Sequence, residues 1–218
     1  MLPKFGYWTL RGLGQPVRNL LAYTETEYEE IYYQFGPGPD YDRSDWRGIQ
    51  FNFGLDLPNL PYYIDDHVKL TQSNSILRYL GAKNGLAGHT AEDAARADML
   101  SEDFTDLRLA FIDCTFSQQF EELKPGYLEY LVKKLSEYEG ILQRHKWFLG
   151  NEISYVDMIA YEYLDVNRLL SEDSFKDFPK ILEFFTRFEE LPQIKKYFRS
   201  TKYIRWPING PMAPFGGK

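Results

Sequence analysis

The apolar pattern of this 218-residue chain changes character once, close to Gly85, and that change limits the fold to two unlike parts. Before it, short β-type runs alternate with helical spacing. Phe5 to Leu10 is aromatic and apolar and is stopped by Arg11-Gly12-Leu13-Gly14. Pro16 stands where a helix first turn tolerates it, and Val17, Leu20, Leu21 and Thr24 follow at helical spacing. Glu29 to Phe35, rich in Ile and Tyr, reads as a second strand ended by Gly36-Pro37-Gly38-Pro39. Asp40 to Phe53 reads as a long loop with one helical turn. Tyr62-Tyr63-Ile64 and Val68-Lys69-Leu70 flank Asp65-Asp66 as a hairpin, and Ser73 is placed to cap a helix carrying Ile76, Leu77 and Leu80. The order β-α-β-α-β-β-α describes a small mixed sheet covered by helices.

After Gly85 strand signals nearly vanish. Leu128, Leu131, Leu135 and Leu142 share one helical stripe, and Ile181, Phe184, Phe185 and Phe188 form another. Ser154 and Asp157 have capping-box spacing, with Ile153 as the staple residue. The expected division is an α/β part over residues 1–84, a linker over 85–90, and an all-helical part over 91–218. The tail from Trp206, rich in Pro and Gly, is expected to lie extended over the surface.

Composition removes several function classes. The net charge of −7 argues against nucleic acid or an anionic membrane as partner. No apolar run approaches the roughly 20 residues of a membrane span, and no leader-type apolar segment follows Met1. Cys114 is the single cysteine, so an internal disulfide is excluded and a reducing, cytoplasmic setting is expected; inside a helical pattern it reads as a small buried apolar residue. His67, His89 and His145 lack metal-ligand spacing, so no metal site is expected. Gly12-Leu13-Gly14 lacks the rest of a dinucleotide fingerprint.

Two local features hint at a ligand. At Leu60-Pro61 a cis bond would expose backbone groups at a strand edge, able to pair with a peptide-like ligand; on the residues alone an ordinary trans turn proline is the favoured reading. Gln72-Ser73 opens a helix, where free N–H groups either bind a carboxylate or are simply capped. Tyr7, read alone, is a strand-end core aromatic.

Taken together, Phe5-Gly6-Tyr7-Trp8, Arg11-Gly12-Leu13, the 40–46 segment ending in Trp46, Gly54 to Tyr62, Thr71-Gln72-Ser73-Asn74, Leu123-Lys124-Pro125, Trp147 to Asn151 and Arg187-Phe188-Glu189 resemble the mu class of cytosolic glutathione transferases along essentially the whole chain. The resemblance implies a thioredoxin-like N-terminal domain, an all-α C-terminal domain and a two-fold homodimer. It implies transfer of the glutathione thiolate to hydrophobic electrophiles, with glutathione as co-substrate and no permanently bound cofactor. Tyr7 would be catalytic, its hydroxyl on the glutathione sulfur. Trp8, Leu13, Arg43, Trp46, Gln50, Asn59, Leu60, Gln72 and Ser73 would bind glutathione, with Pro61 cis and Asp106 contributed by a second copy. Leu10, Leu13, Arg108, Ile112, Phe116 and Asn209 would line the electrophile site.

Departures from the family pattern are equally legible. Gln50 replaces a lysine beside the glycyl carboxylate, and Leu57 replaces the phenylalanine that plugs the partner subunit. Phe116 lacks the hydroxyl that assists epoxide opening, and Arg108 and Asn209 make the cleft more polar. A second reading, a non-catalytic carrier of glutathione and apolar ligands, does not require the Tyr7 hydroxyl.

Overall fold

A computed structural model describes residues 1–217. Its four-stranded sheet contains β1 (Lys4–Trp8), β2 (Glu29–Tyr33), β3 (Tyr62–Ile64) and β4 (Lys69–Thr71), in the spatial order β2-β1-β3-β4. β1 and β2 are parallel, and the chain crosses between them through α1 (Gln15–Tyr23); β3 runs antiparallel to both β1 and β4. The first two strands stop at Trp8 and Tyr33, short of the expected Leu10 and Phe35, because the chain turns there to carry other contacts described below. The long 40–53 segment holds α2 (Ser44–Arg47) and a 3-10 turn over Gln50–Phe53. Helix α3 (Ser73–Lys83) closes this part.

Five helices follow: α4 (Ala91–Thr115), α5 (Phe120–Leu142), α6 (Tyr155–Leu170), α7 (Pro179–Glu189) and α8 (Pro192–Phe198). α6 is buried along nearly its whole length and packs against α1, α3, α4 and α7, which makes it the common wall of sheet and bundle. Its capping box forms as the spacing requires, the Ser154 N–H donating to Asp157 at 2.8 Å, while the Phe148 N–H donates to the other Asp157 oxygen at 2.9 Å. Cys114 is buried in a small apolar cluster with Phe111, Tyr127 and Ile208. None of the helices is long and apolar enough to cross a membrane, among the described residues.

Two expectations are corrected. Ser73 is the first helical residue of α3, not its cap; Gln72 occupies the cap position with φ of +69°, and no side chain bonds the helix start. The C-terminal tail does not lie over the surface. Ile208, Asn209 and Ala213 are buried, and the Pro207 and Ile208 carbonyls accept the Arg11 and Gly12 N–H groups at 2.9 and 3.0 Å. Those N–H groups belong to the loop after β1, so the tail satisfies backbone donors that the sheet leaves unpaired.

The β3–β4 turn is held by Asp65. Its carboxylate accepts the His67 and Val68 N–H groups, the Tyr79 hydroxyl and the Lys83 ammonium at 2.8 to 3.0 Å. Burial opposes its ionisation, but these bonds prevail and hold the carboxyl well below the usual range. Because the folded value is depressed, this stabilisation is complete above the unfolded aspartate value of about 4 and is lost as pH falls below it. Asp65→Ala is expected to cost about 1–3 kcal/mol at pH 7, read from urea midpoints, with a smaller difference from wild type at pH 3.

Candidate active site

The strand register brings the separated motifs to one end of the sheet. Gly6 lies opposite Tyr62, and Tyr62 opposite Thr71. Continuing each ladder by one residue sets Tyr7 beside Pro61 and Pro61 beside Gln72. The end of β1, the start of β3 and the start of α3 therefore meet. The Leu60–Pro61 bond is cis, contrary to the reading from residues alone and as the resemblance implied. The Leu60 N–H donates to the Asn59 side-chain oxygen at 2.9 Å. Ser73 is buried, whereas Gln72 and Asn59 are exposed. A non-glycine residue at positive φ stores backbone strain, and at Gln72 that strain sits where the uncapped helix start is presented. Uncapped N–H groups and the helix dipole suit an anionic group.

Other expected glutathione contacts lie around this corner. Trp46 is buried on α2 and stacks on Tyr62 with ring centres 5.7 Å apart. Arg43 is exposed, its guanidinium 5.8 Å from the Phe35 ring. Gln50 is half-buried and its amide donates to the Arg47 carbonyl at 3.4 Å. Asp106 is exposed on α4, next to Thr105, whose hydroxyl accepts the Asn74 amide at 3.0 Å and so ties α4 to the first turn of α3.

Tyr7 opens onto a cleft of about 180 Å³. Trp8, Leu10, Arg43, Arg108, Phe116 and Asn209 line it as well, so most expected electrophile-site residues converge. Leu13 and Ile112 do not line it: Leu13 contributes its backbone, and Ile112 packs toward the Phe111 cluster. Sequence reasoning missed Phe35, Gly210 and Met212, which do line it. Phe35 stacks on Trp8 at 4.2 Å, and Met212 arrives on the same C-terminal tail that brings Asn209.

The Tyr7 hydroxyl accepts the Leu13 N–H at 3.0 Å. Its lone-pair side is thereby engaged, and its own proton remains to be donated. Burial pushes the Tyr7 phenol above its ordinary value, and Arg108, the Leu13 N–H and Arg18 offset this only in part. Tyr7 is therefore a neutral hydrogen-bond donor at neutral pH, not a base.

The loop that delivers the Leu13 N–H is pinned from three sides. Arg11, 1% exposed, donates to both Glu162 oxygens at 2.9 and 2.8 Å and to Asp165 at 2.6 Å, reaching across to α6. Arg18 donates to the Leu10 carbonyl at 2.7 Å and pairs with Glu30 at 2.5 Å. The tail supplies the third side.

Gly14 gives Tyr7 its space. A Cβ there would stand 2.5 Å from the Tyr7 ring, while the Gly14 backbone itself is ordinary. Gly14→Ala is thus expected to displace the ring: about 1–3 kcal/mol of stability in thermal melts, and a fall in turnover that the stability loss does not account for.

Comparison with known proteins agrees with this geometry. Residues 3–82 match the family model for the glutathione S-transferase N-terminal domain, and residues 105–201 match that for the C-terminal domain. The chain is 48% identical over 217 residues to the class-mu 26 kDa isozyme 51 glutathione S-transferase of Fasciola hepatica, covering 100% of this chain and 97% of the relative. It is 43% identical over 213 residues to glutathione S-transferase Mu 1 of Bos taurus, covering 98% of each. Among solved structures, the glutathione S-transferase Blo t 8 superposes with a TM-score of 0.89 at 34% identity, covering 98% of this chain and 99% of that one. A Pi-class enzyme of Onchocerca volvulus gives 0.83 at 26%, covering 98% and 100%.

Proposed function

From the premise that this chain belongs to the glutathione S-transferase family, with mu-class enzymes as relatives over nearly its whole length, we propose how its residues carry out that chemistry. The activity is conjugation of glutathione to hydrophobic electrophiles, with glutathione as co-substrate and no resident cofactor. In our reading residues 1–84 form the glutathione-binding domain, 85–90 the linker and 91–218 the helical domain that completes the electrophile site.

Gln72, Ser73 and the α3 start receive the γ-glutamyl carboxylate, and Asp106 of a second copy receives the amine. The Leu60 backbone pairs with the cysteinyl unit, and Asn59 and Trp46 flank it. Arg43 and Gln50 hold the glycyl end, where Gln50 supplies a hydrogen bond without charge. Trp8 and the Leu13 backbone border the sulfur. Leu10, Arg108, Phe116 and Asn209 bound the electrophile, with Ile112 behind them.

The observation that carries the mechanism is the Tyr7–Leu13 hydrogen bond. With its acceptor side occupied, Tyr7 directs its proton toward a sulfur at the mouth of the cleft and favours the thiolate over the thiol. The thiol proton leaves to solvent. The thiolate then attacks the electrophile, and the leaving group departs with its bonding pair to solvent at the mouth of the cleft. The test is steady-state conjugation of glutathione to 1-chloro-2,4-dinitrobenzene. A rate well above the uncatalysed one is expected. An inactive protein that still binds glutathione in calorimetry would instead be a carrier.

We also read the protein as a cytoplasmic homodimer. Leu57 is 68% exposed in the single chain, and a second copy would cover it. Sedimentation equilibrium should give twice the 25.7 kDa chain mass.

A further inference from the structure

The cleft beside Tyr7 holds a cation that the transfer reaction itself does not call for. Arg108 projects from α4 into that cleft, half-buried, with its guanidinium 5.4 Å from the centre of the Tyr163 ring. The acidic side chains behind it are already committed: Glu162 to Arg11 in a two-toothed pair, and Asp165 to Arg11 and Arg168. Among the described residues no carboxylate forms an ion pair with Arg108. Arg43, the other cleft arginine, lies exposed over Phe35 on the glutathione side. Arg108 is therefore a positioned fork of donors, backed by an aromatic ring and facing a partly dehydrated space. A guanidinium so placed matches a carboxylate in shape and charge.

The remaining walls fix what else the ligand contains. Trp8 stacked on Phe35, together with Phe116, gives flat apolar surfaces, and about 180 Å³ is enough for a single aromatic ring, since a cavity of roughly 150 Å³ takes up benzene. We propose that this cleft selects small, single-ring or similarly flat electrophiles that carry a carboxylate, which Arg108 binds while the reacting carbon faces the sulfur. This rests on the glutathione-transfer reading and names its substrate class. Arg108 is then a specificity-determining residue.

The probes are 4-chloro-3-nitrobenzoate and its methyl ester, which share ring, nitro group and leaving group. In both, the thiolate sulfur bonds to the carbon bearing chlorine, and the electron pair of the opening π system passes onto the nitro group. It then returns to expel chloride with the C–Cl bonding pair. The thiol proton goes to solvent, and no oxidant or reductant is consumed. Each kcat/KM is divided by the uncatalysed rate constant for the same probe, which removes the difference in intrinsic reactivity. The quantity read is the preference for carboxylate over ester.

Arg108→Gln is expected to reduce that preference by about 10- to 100-fold, mainly through KM for the carboxylate. Arg108→Lys keeps the charge and the stem but loses the fork, so it should fall between wild type and Arg108→Gln; it also carries the test if the glutamine variant folds poorly. A preference left unchanged in both variants, with both substrates still turned over, would overturn the proposal and leave glutathione transfer intact. Failure of the wild-type protein to conjugate either probe or 1-chloro-2,4-dinitrobenzene would instead overturn the transfer reading, and this proposal with it.

Discussion

Tyr7→Phe is expected to lower kcat/KM for glutathione transfer at least about 10-fold at pH 6.5, and the loss should shrink as pH rises. A free thiol with pKa of about 8.5 is only about 1% ionised at that pH, whereas one lowered by about 2 units is about half ionised. The lower-pKa thiolate is also the weaker nucleophile, by roughly 8-fold for two units at a Brønsted slope of about 0.45. Ionisation alone therefore accounts for a loss of roughly 6-fold at pH 6.5 and for none near about pH 7.6; by about pH 9, where both forms are largely thiolate, the more basic thiolate of the variant is favoured by roughly 6-fold on this term alone. The rest comes from aiming the sulfur, because the hydroxyl is fixed by the Leu13 N–H and by the ring's contact with Gly14. A pH–rate profile of both proteins separates these contributions. A loss of equal size at every pH would mean that the hydroxyl only positions the sulfur. No loss at pH 6.5 would remove Tyr7 from the mechanism. The variant also leaves the Leu13 N–H without its acceptor, at a cost of about 1 kcal/mol in urea unfolding.

How much of this could be read beforehand depends on the range of the interaction. The helix carrying Val17, Leu20 and Leu21 was legible because its signal is local and periodic, and all three residues are buried as the pattern requires. The Ser154–Asp157 cap was legible because both partners lie within one turn. The cap of α3 was misplaced by one residue: nothing in Thr71-Gln72-Ser73 announces that Gln72 takes a positive φ, since the strain is imposed by the sheet and helix on either side of it. Long-range pieces were legible only through the resemblance, which put Tyr7, Arg108, Phe116 and Asn209 in one cleft; Phe35 and Met212 enter that cleft from opposite ends of the chain and lie outside the residues it named. The tail misled because Pro and Gly enrichment marks irregular backbone, not exposure. Here the irregular segment supplies carbonyls to Arg11 and Gly12 and buries Ile208.

The Arg11–Glu162 pair belongs to this hidden class, and breaking it is expected to have the largest effect on stability of any change considered. The partners lie 151 residues apart in sequence, and both are 1% exposed. Burial works against the charge on Arg11, but the Glu162 and Asp165 carboxylates outweigh it and hold the guanidinium protonated well past its ordinary range. Removing Arg11 strands the Glu162 carboxylate out of water, whereas removing Glu162 leaves Arg11 with Asp165. Arg11→Met should therefore cost about 3–5 kcal/mol in urea denaturation, and Glu162→Ala less. Replacing both with apolar residues of similar size, Arg11→Met with Glu162→Leu, removes both desolvation penalties and should recover a large part of that loss, although Asp165 keeps only Arg168 as partner. Activity should respond differently. The pair anchors the loop whose Leu13 N–H orients the Tyr7 hydroxyl, and the apolar replacement restores packing without restoring the two-toothed anchor. The double variant should thus regain stability while its kcat/KM stays below wild type. Recovery of both together would mean that the ion pair serves stability alone and that the loop is held by Arg18 and the C-terminal tail.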